Sequence, residues 1–411
     1  MSNVLKIALR NLIRYKRRTL LTASLVALGI IFVLVFTAVS GSFKNLIVSQ
    51  VTDSMLGHIQ IHRKGYVASI ENLPLTMNMK PQAVAKIKKV IEGMPEVEAY
   101  SPRIKFGGMF SNFTETTAIR LNGVYPEKEF KTVPLLMSRV IKGEKAIKKG
   151  EVMIPELLSR GMNVKVGDMV VVIATNKDGS VNGKQLKVGG VLESATGPGG
   201  RDGYVHIEDA MEILRMDEQE ISEIAIRLKD FGSLHGTYRK LDRTLSSEQN
   251  KLGKPIFEVH TWEGLSPFFN IAQMIDLMTL FIKIMLIAIV LVSVMNVMIM
   301  AVYERIREIG TIAAIGTLPG KILSMFMVEG LLLGVFGVVI GNAIGLAIVF
   351  VLRLAQVSFT FARQTFVLLP SVQLSDLLIV SVIVVVVAIL GSLQPALKAS
   401  RMEPIKALRH V

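Results

Sequence analysis

Four long runs without a charged residue, Thr19–Phe43, Ile284–Tyr303, Gly330–Leu352 and Leu377–Leu397, sit unevenly along this chain. Each reaches the roughly 20 residues that a helix needs to cross a ~30 Å hydrocarbon core. The first stands near the N-terminus and the other three crowd the C-terminal third. Between the first and the second lie roughly 230 mostly polar residues, far more than an ordinary loop and enough for one or two domains. The chain is therefore expected to be an integral membrane α-helical protein with four transmembrane helices and a large domain outside the bilayer.

Charge fixes the side. Lys6, Arg10, Arg14, Lys16, Arg17 and Arg18 precede the first span with no acid among them. The link between spans two and three carries Arg305, Arg307 and Lys321 against Glu304 and Glu308. The tail carries Lys398, Arg401, Lys406 and Arg409 against Glu403. These flanks hold +10 of the formal +14, whereas the large domain holds only +4. Basic residues beside spans mark the cytoplasmic face. Both termini and the middle link are expected inside, with the large domain and the Leu354–Asp376 link outside. The positive balance thus reads as topology, and no basic stripe suited to nucleic acid is present. Ala38-Val39-Ser40 loosely resembles a signal cleavage site, but the apolar run is too long and three spans follow, so an uncleaved anchor is expected. The sequence has no cysteine, which excludes disulfides and thiolate metal sites.

The outside domain reads as two βα units around an insertion. His58-Ile59-Gln60-Ile61-His62 alternates as a half-buried strand does. Pro81 opens a helix over Ala83–Glu92 with Val84, Ile87, Val90 and Ile91 on one side. Strands near Val97–Phe106 and Thr116–Val124 follow. The pattern returns as a strand over Ile221–Leu228, a helix over Leu234–Asn250 and a strand over Ile256–His260. Between them, about 125–209, the chain is rich in β-formers and glycine. Met169–Ala174 and Gln185–Leu192 flank the turn Asn176-Lys177-Asp178-Gly179, a hairpin signal. Gly197-Pro198-Gly199-Gly200 reads as a loop. The expected fold is a mixed α/β domain with a β-rich insertion. The expected division is 1–18 basic amphipathic segment, 19–43 first span, 44–271 outer domain, 272–303 stalk and second span, 304–320 coupling helix, 321–352 third span, 353–376 outer loop, 377–397 fourth span and 398–411 tail.

Span three carries Gly330, Gly334, Gly337, Gly341 and Gly345 along one helix face. Small residues at this spacing let helix backbones approach closely in lipid. Static packing is favoured here over a sliding contact. Glu329 lies near the inner end of that span, where a carboxylate must face protein or water. It is read as a helix anchor, bonded to Asn296 or to a base of the N-terminal segment, in preference to a proton or substrate path.

The most specific segment is Tyr303-Glu304-Arg305-Ile306-Arg307-Glu308-Ile309-Gly310-Thr311-Ile312-Ala313-Ala314-Ile315-Gly316. It leaves span two as a charged turn and becomes a short helix before Pro319-Gly320. It offers a compact knob of mixed charge, with Ile309, Ala313 and Ala314 as apolar surface, suited to a groove on another protein. Two further blocks accompany it. Ala8-Leu9-Arg10-Asn11-Leu12 leads to Arg17-Arg18-Thr19-Leu20-Leu21-Thr22, and Pro395-Ala396-Leu397-Lys398-Ala399-Ser400-Arg401 leads to Pro404-Ile405-Lys406-Ala407-Leu408-Arg409. With Asn296 through Phe326-Met327-Val328-Glu329-Gly330, these blocks resemble a MacB/FtsX-type ABC transporter permease of the lipoprotein-releasing (LolC/LolE-like) branch, over essentially the whole chain.

The resemblance implies a dimer with a second permease copy or a paralogue, resting on a dimer of ATPase subunits that bind ATP and Mg. It implies that the helix near Arg305–Gly316 transmits ATPase closure and that spans one and two act as levers on the outer domains. The substrate, a lipoprotein or another amphiphile of the membrane lipid, is handled outside the membrane or taken from its outer leaflet. One departure matters. In carrier-recruiting members the insertion bears a hairpin with apolar and proline residues, whereas the Ala174–Lys187 turn is polar at its tip. Docking of a periplasmic carrier or adaptor there is left open.

No chemistry of its own is legible in the chain. A phosphate loop needs a fixed glycine, lysine and Ser/Thr spacing. Gly179…Gly183-Lys184 and Gly316…Gly320-Lys321 each lack one residue and the Ser/Thr, so no cofactor is expected in this chain. His58 and His62 share a strand face without a third ligand, which disfavours a metal. Trp262 reads as an interface or core residue. No catalytic constellation supports a membrane-anchored enzyme. Drug or peptide efflux and signalling to a cell-wall hydrolase remain as alternatives to lipoprotein release.

Overall fold

The computed structural model of the chain describes residues 2–194, 201–250, 252–361 and 364–404. The Gly197–Gly200 loop and the tail from 405 onward lie outside the described residues. The chain divides into two compact units, residues 1–45 with 273–411, and residues 46–272.

In the membrane unit the four charge-free runs lie within helices Lys16–Val51, Phe268–Glu304, Pro319–Leu354 and Leu374–Ser400. All four are long and apolar enough to cross a bilayer. A separate helix, Ser2–Arg14, precedes the first span. The Thr19 hydroxyl donates to the carbonyls of Leu12 at 2.9 Å and Tyr15 at 3.2 Å, bridging the break between the two helices. The bundle core is built from Val26, Ile30, Leu34, Val290, Val294, Met298, Phe326, Leu333, Val384 and Ala388. Many other leucines, isoleucines and valines of these helices point outward, as side chains facing lipid do. The outer link, expected as a loop, contains an antiparallel hairpin of Ser358–Phe361 and Gln364–Val367.

The outer domain is mixed α/β, as expected. Among the described residues its strands are β1 (Ile59–Arg63), β2 (Val97–Ser111), β3 (Thr116–Val124), β4 (Val140–Gly143), β5 (Glu151–Pro155), β6 (Met169–Thr175), β7 (Val181–Leu192), β8 (Gly203–His206), β9 (Glu223–Leu228) and β10 (Phe257–Thr261). Four of them stand antiparallel in the order β10-β1-β9-β2. With helices Pro81–Glu92 and Leu234–Ser246 between β1 and β2 and between β9 and β10, this is the split βαβ arrangement. Each helix packs through one stripe, Val84, Ile87 and Ile91 in the first and Leu234, Thr237, Leu241 and Leu245 in the second.

The insertion closes on itself. β2 pairs with β3, β3 with β8, β8 with β5, β5 with β7, β7 with β6, and β6 with β2 again. The result is a six-stranded barrel that includes β3 and the end of β2, which the sequence reading placed before the insertion. β2 therefore serves both halves, pairing with β9 through Arg103 and with β6 from Met109 to Ser111. Gly108 stands at that change of partner. A Cβ there would lie 2.5 Å from the Ile173 carbonyl oxygen, so only glycine lets β6 approach.

The alternation in β1 predicts a half-buried strand, yet both faces are buried. Its polar side meets a charge ladder. His62 opposes Glu223 on β9, and Glu223 opposes Arg103 on β2. Arg103 bridges Glu223 at 2.9 Å and Glu129 at 2.7 Å, and Lys105 stands 3.7 Å from Glu223. Burial pushes the Glu223 carboxyl up, but Lys105, His62 and Arg103 beside it hold it far below the ordinary range. Buried ions of this kind are tolerated only when paired.

Candidate coupling segment

Span two ends at Glu304, and helix Ile306–Ala314 turns away from it. Arg305 sits between them in a non-helical conformation. The short helix stops because Gly316 adopts φ +94°, the left-handed conformation that costs glycine least. Its N–H donates to the Ala313 carbonyl at 3.0 Å. Pro319 then opens the third span at a position where its missing N–H is not needed.

The helix has two distinct sides. Ile306, Ile309 and Gly310 are buried, and Ala313 is half-buried against the bundle core. Arg307, Glu308, Thr311, Ile312, Ala314, Ile315 and Gly316 are exposed. Ile315 and Leu318 are 80% and 66% exposed, far more than an inward-packed aliphatic would be. The outward apolar surface is therefore Ile312, Ile315 and Leu318 beside Ala314. This corrects the expectation that Ile309 and Ala313 supply it, and it withdraws Gly310 from the docking face. The signal was present in the sequence: Ile312 and Ile315 are three apart, and Leu318 continues the row.

Arg305 is the larger correction. It was expected on the docking surface, but its side chain is almost wholly buried. Its Nη1 donates to Glu329 Oε2 at 3.2 Å, and its guanidinium lies 4.6 Å from the centre of the Tyr15 ring. Glu329 is thus bonded by the coupling segment itself, a partner that the sequence did not name. Asn296 is exposed on the outside of span two. Neighbouring predicted residues hold the same corner. The Tyr303 hydroxyl accepts from Lys398 Nζ at 2.8 Å, and Glu308 lies 3.8 Å from Arg14 at the surface. Glu304 is exposed.

The glycine face of span three is filled by two neighbours. An added Cβ at Gly330 would lie 2.5 Å from Ser392, and at Gly334 2.7 Å from Ala388, both on span four. At Gly337 it would lie 2.4 Å from Val26, at Gly341 2.8 Å from Ile30 and at Gly345 3.0 Å from Leu34, all on span one. The stripe is a packing surface within one chain, and it joins span three to two other spans.

In the outer domain the β6–β7 hairpin turns through Gly179. Its tip is tied down, with Lys177 Nζ donating to both oxygens of Glu220 at 2.9 and 2.8 Å. His58 accepts from the Leu228 N–H at 3.1 Å, and His62 faces Glu223. Among the described residues no three histidine or acidic side chains stand together as a metal site. Trp262 is buried and meets the Phe269 ring edge-on at 5.9 Å.

Residues 19–242 match the model of the MacB-like periplasmic core domain, and residues 280–404 match that of the FtsX-like permease C-terminal region. The lipoprotein-releasing system transmembrane protein LolC of Neisseria meningitidis serogroup B is 23% identical over 95% of this chain and 94% of its own length. LolC of Xylella fastidiosa strain 9a5c is 22% identical over 77% of this chain and 78% of its own. A probable export ATP-binding/permease protein MacB of Pseudomonas entomophila is 24% identical over 98% of this chain but only 58% of its own. The crystal structure of the periplasmic region of MacB from Actinobacillus actinomycetemcomitans superposes on 56% of this chain with a TM-score of 0.37 and 14% identity.

Proposed function

The chain belongs to the ABC transporter permeases that carry a MacB-like periplasmic core domain and an FtsX-like C-terminal region, and from that premise we propose that it couples a separate ATPase to work done outside the membrane. One observation carries this reading. Helix Ile306–Ala314 is fastened to the bundle on one side by Ile309 and the Arg305–Glu329 pair, and presents Ile312, Ala314, Ile315 and Leu318 on the other. A knob fixed on one side and apolar on the other suits a partner groove, because a few well-packed, desolvated residues carry most of an interface's energy.

In this reading both termini and the knob are cytoplasmic, ATP and Mg are held by the ATPase dimer, and the chain has no ATPase site. A second permease completes the complex. Helices Lys16–Val51 and Phe268–Glu304 run well past their apolar runs, as levers would. Release of lipoproteins from the outer leaflet of the inner membrane is the best-supported output, from the likeness to LolC. The polar, tied-down hairpin tip speaks against carrier docking at that loop. It favours export of an amphiphile without a docked carrier as the second reading.

The test is reconstitution with the ATPase. The chain alone is expected to hydrolyse no ATP. Arg307→Glu, Ala314→Trp and Ile315→Asp are expected to yield complexes that assemble and hydrolyse ATP but move no substrate. Wild-type release by all three, at normal ATPase rates, would reduce the segment to a connector. A lipid-anchored protein and a soluble amphiphile offered in parallel separate the two outputs.

A further inference from the structure

A polar cavity of about 250 Å³ opens in the membrane unit among the outer ends of spans one, two and four. Charged residues mark its depth. Lys44 directly follows the charge-free run of span one, Lys283 directly precedes that of span two, and Asp376 that of span four. The cavity therefore lies where hydrocarbon gives way to headgroups. Lys44 donates to Asp276 at 2.6 Å on one wall. On another wall Lys283 Nζ stands 3.8 Å from Asp376 Oδ1, beyond hydrogen-bond reach. Thr37 Oγ1 is enclosed and has no hydrogen-bond partner among the described residues. The Leu369 N–H donates to Ser42 Oγ at 3.0 Å, which pins the outer link near the same turn of span one.

Two lysines and two aspartates make the walls neutral overall but strongly bipolar. The space has room for several waters or one small headgroup. A purely anionic headgroup would set its phosphate near two carboxylates, of which Asp376 has no lysine within hydrogen-bond distance. A zwitterion with a phosphate and a primary ammonium answers both signs. Its phosphate can accept from Lys283 and Thr37, and its ammonium can donate to Asp376 and Asp276. Charge-assisted hydrogen bonds of this kind are the strong ones. The cavity shares Ile275 with an apolar groove of about 350 Å³ that includes Phe36, Val39, Phe43, Met278 and Leu368. That groove offers a bed for an acyl chain.

We propose that this cavity binds the headgroup of an outer-leaflet phospholipid of the phosphatidylethanolamine type, as a resident lipid bridging spans one, two and four. The proposal rests on the membrane topology alone and not on the transported substrate. The full chain would be reconstituted with equal amounts of dioleoyl phosphatidylethanolamine and dioleoyl phosphatidylglycerol, released into mild detergent, and weighed intact by native mass spectrometry. The expected result is one retained phosphatidylethanolamine per chain in preference to phosphatidylglycerol. Lys283→Gln and Asp376→Asn are expected to weaken retention about tenfold each, and Thr37→Val by less. Equal retention of the two lipids by the wild-type chain would overturn the proposal without reliance on any variant. So would retention unmoved by both charge substitutions in folded protein. Saturable binding of phosphoethanolamine alone, with no preference for the diacyl form, would assign the site to a soluble compound and overturn the lipid.

Discussion

Replacing Arg305 by leucine should destabilise the inner end of the bundle, and the size of the effect follows from its surroundings. Glu329 is fully buried, and Arg305 bonds it from 3.2 Å. Without the guanidinium, the buried carboxylate loses this ion pair, and the energy of protonating a carboxyl limits what that loss can cost. An ordinary carboxyl, with a pKa of about 4.3, is neutralised at pH 7 at a cost of about 3.7 kcal/mol. That sets a ceiling close to the ~3–5 kcal/mol seen when one partner of a buried pair is removed. Loss of the guanidinium from the Tyr15 ring, 4.6 Å away, adds about 0.5–2 kcal/mol. Arg305→Leu alone should therefore cost at most about 4–6 kcal/mol, whereas Arg305→Leu with Glu329→Leu should cost less than the sum of the two single changes, since removing both members of a buried pair leaves neither uncompensated by the other. Charge reversal, Arg305→Glu with Glu329→Arg, should recover less, because it abandons the ring contact. The assay is unfolding of the full chain in detergent for the wild type, both single variants and the double variant, read as a double-mutant cycle. If Arg305→Leu unfolds within 1 kcal/mol of wild type and the second substitution rescues nothing, the pair contributes no stability and Arg305 belongs on the docking surface after all.

Other outcomes follow from the same geometry. Gly337→Ala and Gly341→Ala place a Cβ 2.4 Å from Val26 and 2.8 Å from Ile30 and should each cost about 1–3 kcal/mol. Gly236→Ala, in helix Leu234–Ser246 with nothing within 4 Å of the new Cβ, should stabilise by about 0.5–1 kcal/mol; equal effects at both kinds of site would refute the packing account. Glu223 has a depressed folded pKa, so its stabilising contribution is complete above the unfolded value near 4.3 and is lost as pH falls below it. Trp262, the single tryptophan and buried in the outer domain, should report a falling denaturation midpoint between pH 5 and pH 3 that Glu223→Gln flattens; an unchanged slope in that variant would assign the acid sensitivity elsewhere. Cysteines placed at Ser2, Asp178 and His410 should react with an impermeant thiol reagent from outside only at position 178, and labelling of position 2 or 410 in sealed cells would reverse the topology.

The elements were legible where one periodicity dominated. Four charge-free runs gave four helices, and alternation or helical spacing placed β1, β9 and the two outer-domain helices. Barrel closure was not legible, because it depends on contacts between β2 and β6, some sixty residues apart. Gly107-Gly108 was the available trace of it, a weak point in an otherwise continuous strand. The burial of the polar side of β1 was hidden for a related reason. Alternating His58, Gln60 and His62 look like a solvated face until Glu223, Arg103 and Glu129 arrive from other elements to pair the charges.

The coupling segment shows the same limit at closer range. Its sequence contains two apolar rows on one short helix, Ile306 with Ile309, Gly310 and Ala313, and Ile312 with Ile315 and Leu318. Periodicity says which residues share a row but not which row meets the bundle. That choice is made by Arg305, whose partner lies on the next span. Charged residues on a turn are ordinarily solvated, and Arg307 and Glu308 obey that rule. Arg305 breaks it because its guanidinium pairs with the buried Glu329 carboxylate at the inner end of the bundle. Once Arg305 is drawn inward, the helix can rotate only so far, and Ile309 must follow it into the core. Ile312, Ile315 and Leu318 are then left outside. The buried pair thus decides which apolar row the permease offers to its partner, and a residue read as a docking charge acts by orienting the docking surface.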